Sequence, residues 1–572
     1  MFKKINKYFI GYFFLSLFFL SFIFKGLILN ISTDLIDWRD YAYVIWVMNQ
    51  TVESIKEMSL SGLFNGNAFY PNEGILLFSD LLWPQAIMTL IFSFFTKNII
   101  TQFNLVFFST LILNTIAIYT FWKTIFKDHK NTFFASLVTN FSPFLILEIN
   151  HFQMITYWPF FFAMHYLFKN KKTIKDLILL AIFLSIQFYA AVYWMIFFIT
   201  IMGLYYVVSF LKKENKLNLI RDLLIIGSLL IVFIGPIYFK YSQVQKAYGV
   251  NREYHEYVNY SAHITDYLFS RNFKSIVSQS KFFKIINSYN NHSSFSATII
   301  IYLLSLIGIF NIKKIKENFS ISFSLKKIDI IFLLIALIGF TFSLGPRFSF
   351  NGYYLSAPLP FALALKYLVI FEPIRATSRF AALFYIGLTY FAVKGLSKIN
   401  KNNNFLLIII ALIIFFLEII PTNFKTESNN YYPSVYNEIS RRCNNKEVFL
   451  EYPFNQDTPK ADIVTNLKYK ASQLTAAVNH NCSLVNGYAG FDPKEYSDYI
   501  TSFNTALQAT NSASLSGIIN QKNIEYIKVN KEYMSKDKLK QLDNIDFYNQ
   551  FGTIISQDKE FTLIQIKKVN NE

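Results

Sequence analysis

Ser32-Thr33-Asp34-Leu35-Ile36-Asp37-Trp38-Arg39-Asp40-Tyr41 sets three carboxylates directly after the first long apolar run, at about 8–29. Charged groups are costly near hydrocarbon, so acids at the edge of a membrane span are candidates for function. The reading of this stretch turns on the run before it. Met1–Lys7 is basic, the run that follows is long enough to span, and it lacks a small-residue cleavage site, so an uncleaved first span is expected. The three acids then stand at the outer membrane–water boundary.

The rest of the chain agrees with a membrane setting. Of 572 residues, 53% are hydrophobic and 16% charged, where a soluble protein carries about a quarter charged residues. Mean hydropathy is +0.32 and the formal net charge is +18. The lysines and arginines sit mostly between apolar runs, a positive-inside pattern rather than a nucleic-acid footprint. Span-length runs fall at about 8–29, 101–122, 131–149, 153–168, 173–189, 191–211, 218–239, 296–311, 328–344, 378–396 and 404–420.

A further apolar stretch, about 81–96, is short and contains Pro84. The strongly basic loops are Lys123/Lys127/Lys130, Lys169/Lys171/Lys172, Lys212/Lys213/Lys216, Lys313/Lys314/Lys316/Lys326/Lys327 and Lys394/Lys398/Lys401. They share a side with Lys3, Lys4 and Lys7 only if 81–96 does not cross, so an interfacial or re-entrant helix is expected there. The result is an α-helical polytopic protein of about eleven transmembrane helices, N-terminus cytoplasmic and C-terminus outside. The first outer loop, 30–100, contains the apolar-aromatic run Tyr41–Met48, suited to lying along the interface. A second long outer loop covers about 240–295.

After Pro421 the apolar runs shorten to strand length, as in 448–452, 483–486, 524–529 and 561–566, with helical patterns between them. A C-terminal α/β soluble domain over 422–572 is expected beside a membrane domain over 1–421. Cys443 and Cys482 each precede a predicted strand. An outer location permits a disulfide between them, and two buried free thiols are the alternative.

Several ordered segments carry a resemblance. They are Asp34–Trp46; Asn67-Ala68-Phe69-Tyr70-Pro71 with Leu77–Asp80; Phe141–Phe144 with Asn150–Gln153; Tyr260-Ser261-Ala262 with Asp266-Tyr267-Leu268; Ile374–Phe380; and Asn486–Pro493. Together the chain resembles the GT-C superfamily of integral-membrane glycosyltransferases, and more narrowly an uncharacterised bacterial group with a C-terminal extracytoplasmic domain. It is distantly similar to oligosaccharyltransferase catalytic subunits and protein mannosyltransferases. The resemblance implies an enzyme of the bacterial cytoplasmic membrane that uses a polyprenyl-phosphate sugar donor and a glycan or lipid acceptor, with an essential acid in the first outer loop. A non-enzymatic exporter, or a degenerate scaffold presenting a binding domain, is the alternative.

Such transfer needs a carboxylate base and a cationic partner for the leaving phosphate. Asp37 is favoured as base, then Asp34, with Asp40 the third candidate; the Asp-x-x-x-Tyr run resembles the first-loop acid motif of oligosaccharyltransferases. The bland reading of all three is a solvated loop. Asp80 is a second acid, a metal ligand, or a carboxylate at a helix N-terminus. Arg375 and Arg379, four apart at the outer start of a span, suit a phosphate, and Arg347 is a third candidate; snorkelling anchors are the alternative.

Glu148, His151 and Gln153 form a polar group at the outer end of a span, and Asp266 lies in a matching segment of the second long loop. One outer cavity is expected to gather Asp37 or Asp34, His151 and one of Arg375 and Arg379. No strong metal motif occurs, though a divalent cation (Mg or Mn) held by carboxylate and phosphate leaves little sequence trace. Neither a Gly-x-x-x-x-Gly-Lys-Ser/Thr loop nor Gly-x-Ser-x-Gly is present.

Overall fold

The computed structural model describes residues 6–250, 252–267, 295–315, 318–322, 325–350, 353–400, 404–419, 425–428, 435–443, 447–459 and 461–567. The expected boundary at Pro421, Leu268 and most of the loop to 295 lie outside the described residues. Two compact units emerge. Unit 1 comprises Met1–Ile28, Phe107–Tyr238 and Asn251–Phe424; unit 2 comprises Leu29–Val106, Phe239–Val250 and Lys425–Glu572.

Among the described residues four helices are long and apolar enough to cross a membrane: Ile99–Ile125, Val192–Leu211, Lys216–Tyr248 and Thr377–Ile399. Lys7–Ile23, Ile299–Ile309 and Phe405–Ile419 are shorter apolar helices. Two expected spans are broken. The run at 131–149 divides into His129–Asn140 and Pro143–Leu147, and the run at 153–168 into Phe152–Ile155 and Trp158–Leu167. Pro143 and Pro159 each sit at a helix start, where their missing N–H costs nothing and their rings stop a helix arriving from behind. The ambiguous 81–96 stretch forms an 11-residue helix, Trp83–Ser93. At about 1.5 Å per residue it is much shorter than a bilayer core.

In unit 1 the helices share one aromatic-rich core containing Trp122, Phe160, Trp194, Phe332 and Phe380. Ile299–Ile309 and Thr377–Ile399 approach closely through Gly308 and Gly395, where a Cβ would overlap the facing carbonyls of Phe391 and Leu304. Small residues permit such contact where lipid offers helices no hydrophobic drive to associate.

The basic loops meet at one end of this unit. Lys172 and Lys327 both lie over the Tyr205 ring, at 4.4 and 4.5 Å. Lys327 pairs with Glu214 at 2.6 Å and Lys394 with Asp329 at 2.7 Å. Ser397 Oγ donates to Asn131 Oδ1 at 3.3 Å, and the His129 ring stacks on Tyr8.

Unit 2 is built on a five-stranded sheet of β1 (Val448–Tyr452), β2 (Ser483–Leu484), β3 (Tyr526–Asn530), β4 (Gly552–Gln557) and β5 (Phe561–Ile566), in the order β4-β5-β3-β1-β2. β1 runs parallel to β2 and β3; β5 is antiparallel to β3 and β4. The helices Ile463–His480, Lys494–Gln508 and Ser512–Gln521 lie between strands in sequence. Cys443 and Cys482 form a disulfide with Cα atoms 5.2 Å apart.

The sheet interior holds Glu451, fully buried, which pairs with Lys528 at 3.1 Å and accepts hydrogen bonds from Tyr436 and Asn530. Burial pushes the Lys528 ammonium below its ordinary value while the Glu451 charge holds it up.

The first loop is part of this unit. Leu484 N donates to Asn67 O, Tyr70 N to Leu484 O, and Phe69 N to Asn486 O, so residues 67–70 run along the β2 edge. An edge strand exposes unmet N–H and C=O groups, and this segment meets them. Asn67 also accepts from Trp46 Nε1 at 2.9 Å and donates to Ala477 O at 2.9 Å. Asp34 and Leu35 pair antiparallel with Ser428 and Glu427.

Candidate functional site

The three acids differ sharply in their surroundings. The Asp34 carboxylate, 7% exposed, accepts from Thr33 Oγ1 at 2.9 Å, Asn30 Nδ2 at 3.2 Å and Thr426 Oγ1 at 2.6 Å. Asp37, 6% exposed, accepts from the Arg39 backbone N–H at 2.7 Å and from its guanidinium at 2.5–3.1 Å. That pair keeps the Arg39 guanidinium charged beyond its ordinary range. Asp40 is half-buried and begins the Asp40–Lys56 helix, where the helix dipole favours a carboxylate.

Asp80 is half-buried and belongs with Asp40 rather than with Asp34. Tyr43, one turn along from Asp40, has its phenol pushed up by burial and then by the charges of Asp80, Tyr488 and Asp40. Tyr241 donates to Ser79 O at 2.7 Å, next to Asp80. Tyr488 meets the Tyr43 ring edge-on, with centroids 5.8 Å apart.

Tyr488 is delivered by the Asn486–Pro493 segment. Gly487 leaves room for the Phe69 ring, which a Cβ would overlap, and Phe491 packs on Phe78 at 4.2 Å. The structure thus gathers Asp40, Asp80, Tyr43, Tyr241 and Tyr488 in unit 2. Arg39 and the three tyrosines were missed as site residues. The Asn486–Pro493 pattern was the one available signal, because isolated tyrosines in a chain with 37 of them carry none.

The other candidates lie in unit 1. Arg379 Nε donates to Glu148 Oε2 at 3.1 Å, both side chains being about a tenth exposed, and the guanidinium lies 4.8 Å over Tyr193. Tyr193 OH in turn accepts from Ala376 N at 3.0 Å. Arg375 rests 4.7 Å over the Tyr260 ring and has no carboxylate partner among the described residues. Arg347 is exposed and lies 5.3 Å over Tyr254.

His151 is half-buried and donates its backbone N–H to Glu148 O. Gln153 Oε1 is buried without a hydrogen-bond partner among the described residues. Asp266 accepts from the His263 backbone N–H at 2.8 Å, a turn-closing bond. The arginines sit on tyrosine faces, where a planar guanidinium stacks while keeping N–H groups at its rim for an oxyanion.

Among the described residues no group of three or more His, Cys, Asp or Glu is placed to hold a metal ion.

Four helices long and apolar enough to cross a membrane, among the described residues, and the overlays that follow define the class: the chain has the GT-C fold. It overlays an arabinofuranosyltransferase AftD from Mycobacteria with a TM-score of 0.59 at 9% identity, over 100% of this chain and 42% of that one. It overlays the Archaeoglobus fulgidus oligosaccharyltransferase, solved with Zn and sulfate, with a TM-score of 0.50 at 10% identity, over 95% of this chain and 71% of that one. The chain thus spans well under half the length of the mycobacterial enzyme. No curated protein matches it. Residues 12–419 match the family described as Domain of unknown function (DUF6311), and the chain belongs to that family.

Proposed function

We propose that the protein is a membrane glycosyltransferase moving a sugar from a polyprenyl-phosphate donor to a glycan or lipid acceptor on the outer face of the bacterial cytoplasmic membrane. The observation that carries this reading is that Asp40 and Asp80 both lie near enough to Tyr43 for their charges to raise its phenol, on a GT-C fold. Asp37, favoured from sequence, braces Arg39, and Asp34 holds Thr33, Asn30 and Thr426; Asp40, whose charge acts with that of Asp80 on Tyr43, takes the role of base.

The reaction balances simply. The acceptor hydroxyl gives its proton to the Asp40 carboxylate, its oxygen bonds to the anomeric carbon, and the carbon–phosphate-oxygen bond breaks with its electron pair leaving on the phosphate. Among the arginines of unit 1, Arg379 is engaged by Glu148 and Arg347 is exposed, so Arg375 keeps the lipid-phosphate role expected of the group. The meeting of the basic loops at one end of unit 1 supports the cytoplasmic N-terminus and extracytoplasmic C-terminus. With it go the finer architecture of about eleven spans over 1–421 and a C-terminal α/β domain over 422–572.

The test uses the full chain reconstituted in liposomes with polyprenyl-phosphate sugars carrying radiolabel. Label should move to a glycan or lipid acceptor with the wild type and not with Asp40→Asn. Equal transfer by wild type, Asp40→Asn and Asp80→Asn would end the reading. No transfer from any polyprenyl donor would leave the exporter or scaffold alternatives.

A further inference from the structure

A cavity of about 270 Å³ opens in unit 2 between Ser32–Thr33, Lys97–Ile100 and Asn479. At roughly 30 Å³ per water it holds a group the size of a glycerophosphate. Its walls are fixed by carboxamides of one helix and its cap. Asn98 Nδ2 donates to Ser32 O at 3.1 Å, Gln102 Nε2 to Thr96 O at 2.7 Å, and Asn104 Nδ2 to the carbonyls of Ile31 and Asp34 at 2.8 and 3.0 Å. These bonds pin both lining segments and leave other donors spare. Lys97 Nζ, Ser32 Oγ and the Asn479 carboxamide have no hydrogen-bond or ion-pair partner among the described residues.

The lining chemistry selects a ligand class. No carboxylate lines the cavity, which removes the usual hard-cation ligands. The absence of an aromatic face from the lining argues against a sugar platform. An ammonium with hydroxyl and amide donors complements an oxyanion. The surroundings add an apolar element. The lining helix Ile99–Ile125 is a candidate membrane span, so the cavity stands at its end. Leu29, Phe94 and Phe95, on the two segments leading into the cavity, are 71–80% exposed. Large exposed apolar side chains beside a polar pocket at the end of a span fit an amphiphile.

We propose that this cavity binds the phosphate of an anionic lipid headgroup, with the acyl chains lying over Leu29, Phe94 and Phe95. Lipid binding here does not depend on the donor-phosphate role given to Arg375.

The experiment uses the full chain in detergent, titrated with dioleoylphosphatidylglycerol, with dioleoylphosphatidylcholine and with inorganic phosphate alone, read by native mass spectrometry. One phosphatidylglycerol should be retained in preference to phosphatidylcholine. Lys97→Gln and Asn479→Asp should each weaken its retention about ten-fold, the loss of one charge-assisted hydrogen bond. Lys56→Gln, at an exposed lysine elsewhere in the unit, should leave it unchanged.

Equal retention of both lipids, or indifference to Lys97→Gln and Asn479→Asp in folded protein, would overturn the proposal. Binding of inorganic phosphate that the same two variants abolish, without lipid retention, would overturn the lipid source and assign the pocket to a soluble phosphate. Asn479 and Lys97 are exposed, so thermal midpoints of the two variants should match wild type; if one variant misfolds, the other decides.

Discussion

Arg39 turns back two residues to close on Asp37, its Nε 3.0 and 3.1 Å and its Nη2 2.5 Å from the carboxylate oxygens. A carboxylate so held shapes the turn that launches the Asp40–Lys56 helix. Asp37→Asn should therefore lower thermal stability, by about 1 kcal/mol given that Arg39 is a third exposed, and reduce transfer only a few-fold. Asp40→Asn should cost about 10²–10⁴ in rate, with stability lowered only by the helix-dipole contribution of about 0.3–1 kcal/mol. Parallel transfer assays and melting curves check this, and the opposite ranking would return the base to Asp37.

Arg375 and Arg379 should separate in the same way. Removing Arg379 strands a nearly buried Glu148, so Arg379→Gln is expected to impair folding, read as lost detergent-extracted yield. Arg375→Gln breaks only a stacking contact in the unliganded protein. It should fold normally and lose kcat, and Arg375→Lys should restore little because the planar fork is lost.

His480 gives unit 2 a pH dependence. Burial, with the nearby Lys528 charge, lowers its folded pKa to about 3. The unfolded chain, at an ordinary value of about 6.5, binds a proton more readily between these limits. Stability contributed by His480 is therefore complete above about pH 6.5 and declines as pH falls toward 3, by at most about 1.4 kcal/mol per pH unit. Denaturant unfolding at pH 7.5 and 5 should show the loss, and His480→Gln should flatten it.

The disulfide closes a sequence separation of 39 residues. On the chain-entropy account such a loop contributes about 4 kcal/mol. A Cys443→Ser/Cys482→Ser double variant should unfold at markedly lower denaturant, and reductant should destabilise the wild type but not the variant.

Reporter fusions should place Lys313 in the cytoplasm and Lys559 outside, as the clustered basic loops require. The reverse pattern would remove the common outer face on which the proposed site depends.

Much of this was legible beforehand, and the failures have causes. Apolar runs announce the helices because burial in lipid or protein leaves a long compositional trace. Breaks such as Pro143 are visible as residues, but the run on either side still reads as one window. Charge parity, not hydropathy, argues against a crossing at 81–96, where the structure has the 11-residue helix Trp83–Ser93.

The site was harder. Asp40 ranks third among the acids in the sequence, and nothing in the local run says that Arg39 will close on Asp37. Tyr43 read as part of an interfacial helix, and Tyr488 lay in a noticed segment with no assigned role. Both owe their place to contacts across hundreds of residues, such as Leu484 with Asn67, which leave no periodicity.

The two-residue ladder joining Asp34–Leu35 to Glu427–Ser428, with Thr426 bonded to the Asp34 carboxylate, makes the acid loop wait for the far end of its own chain. A ribosome delivers the acids first and their partners only after nearly four hundred more residues have been made. A chain cut short before 426 would present the three aspartates with no strand beside them. Its first loop would lack the pairing that fixes its register, so a truncated product carries the acids without the order that would let them act.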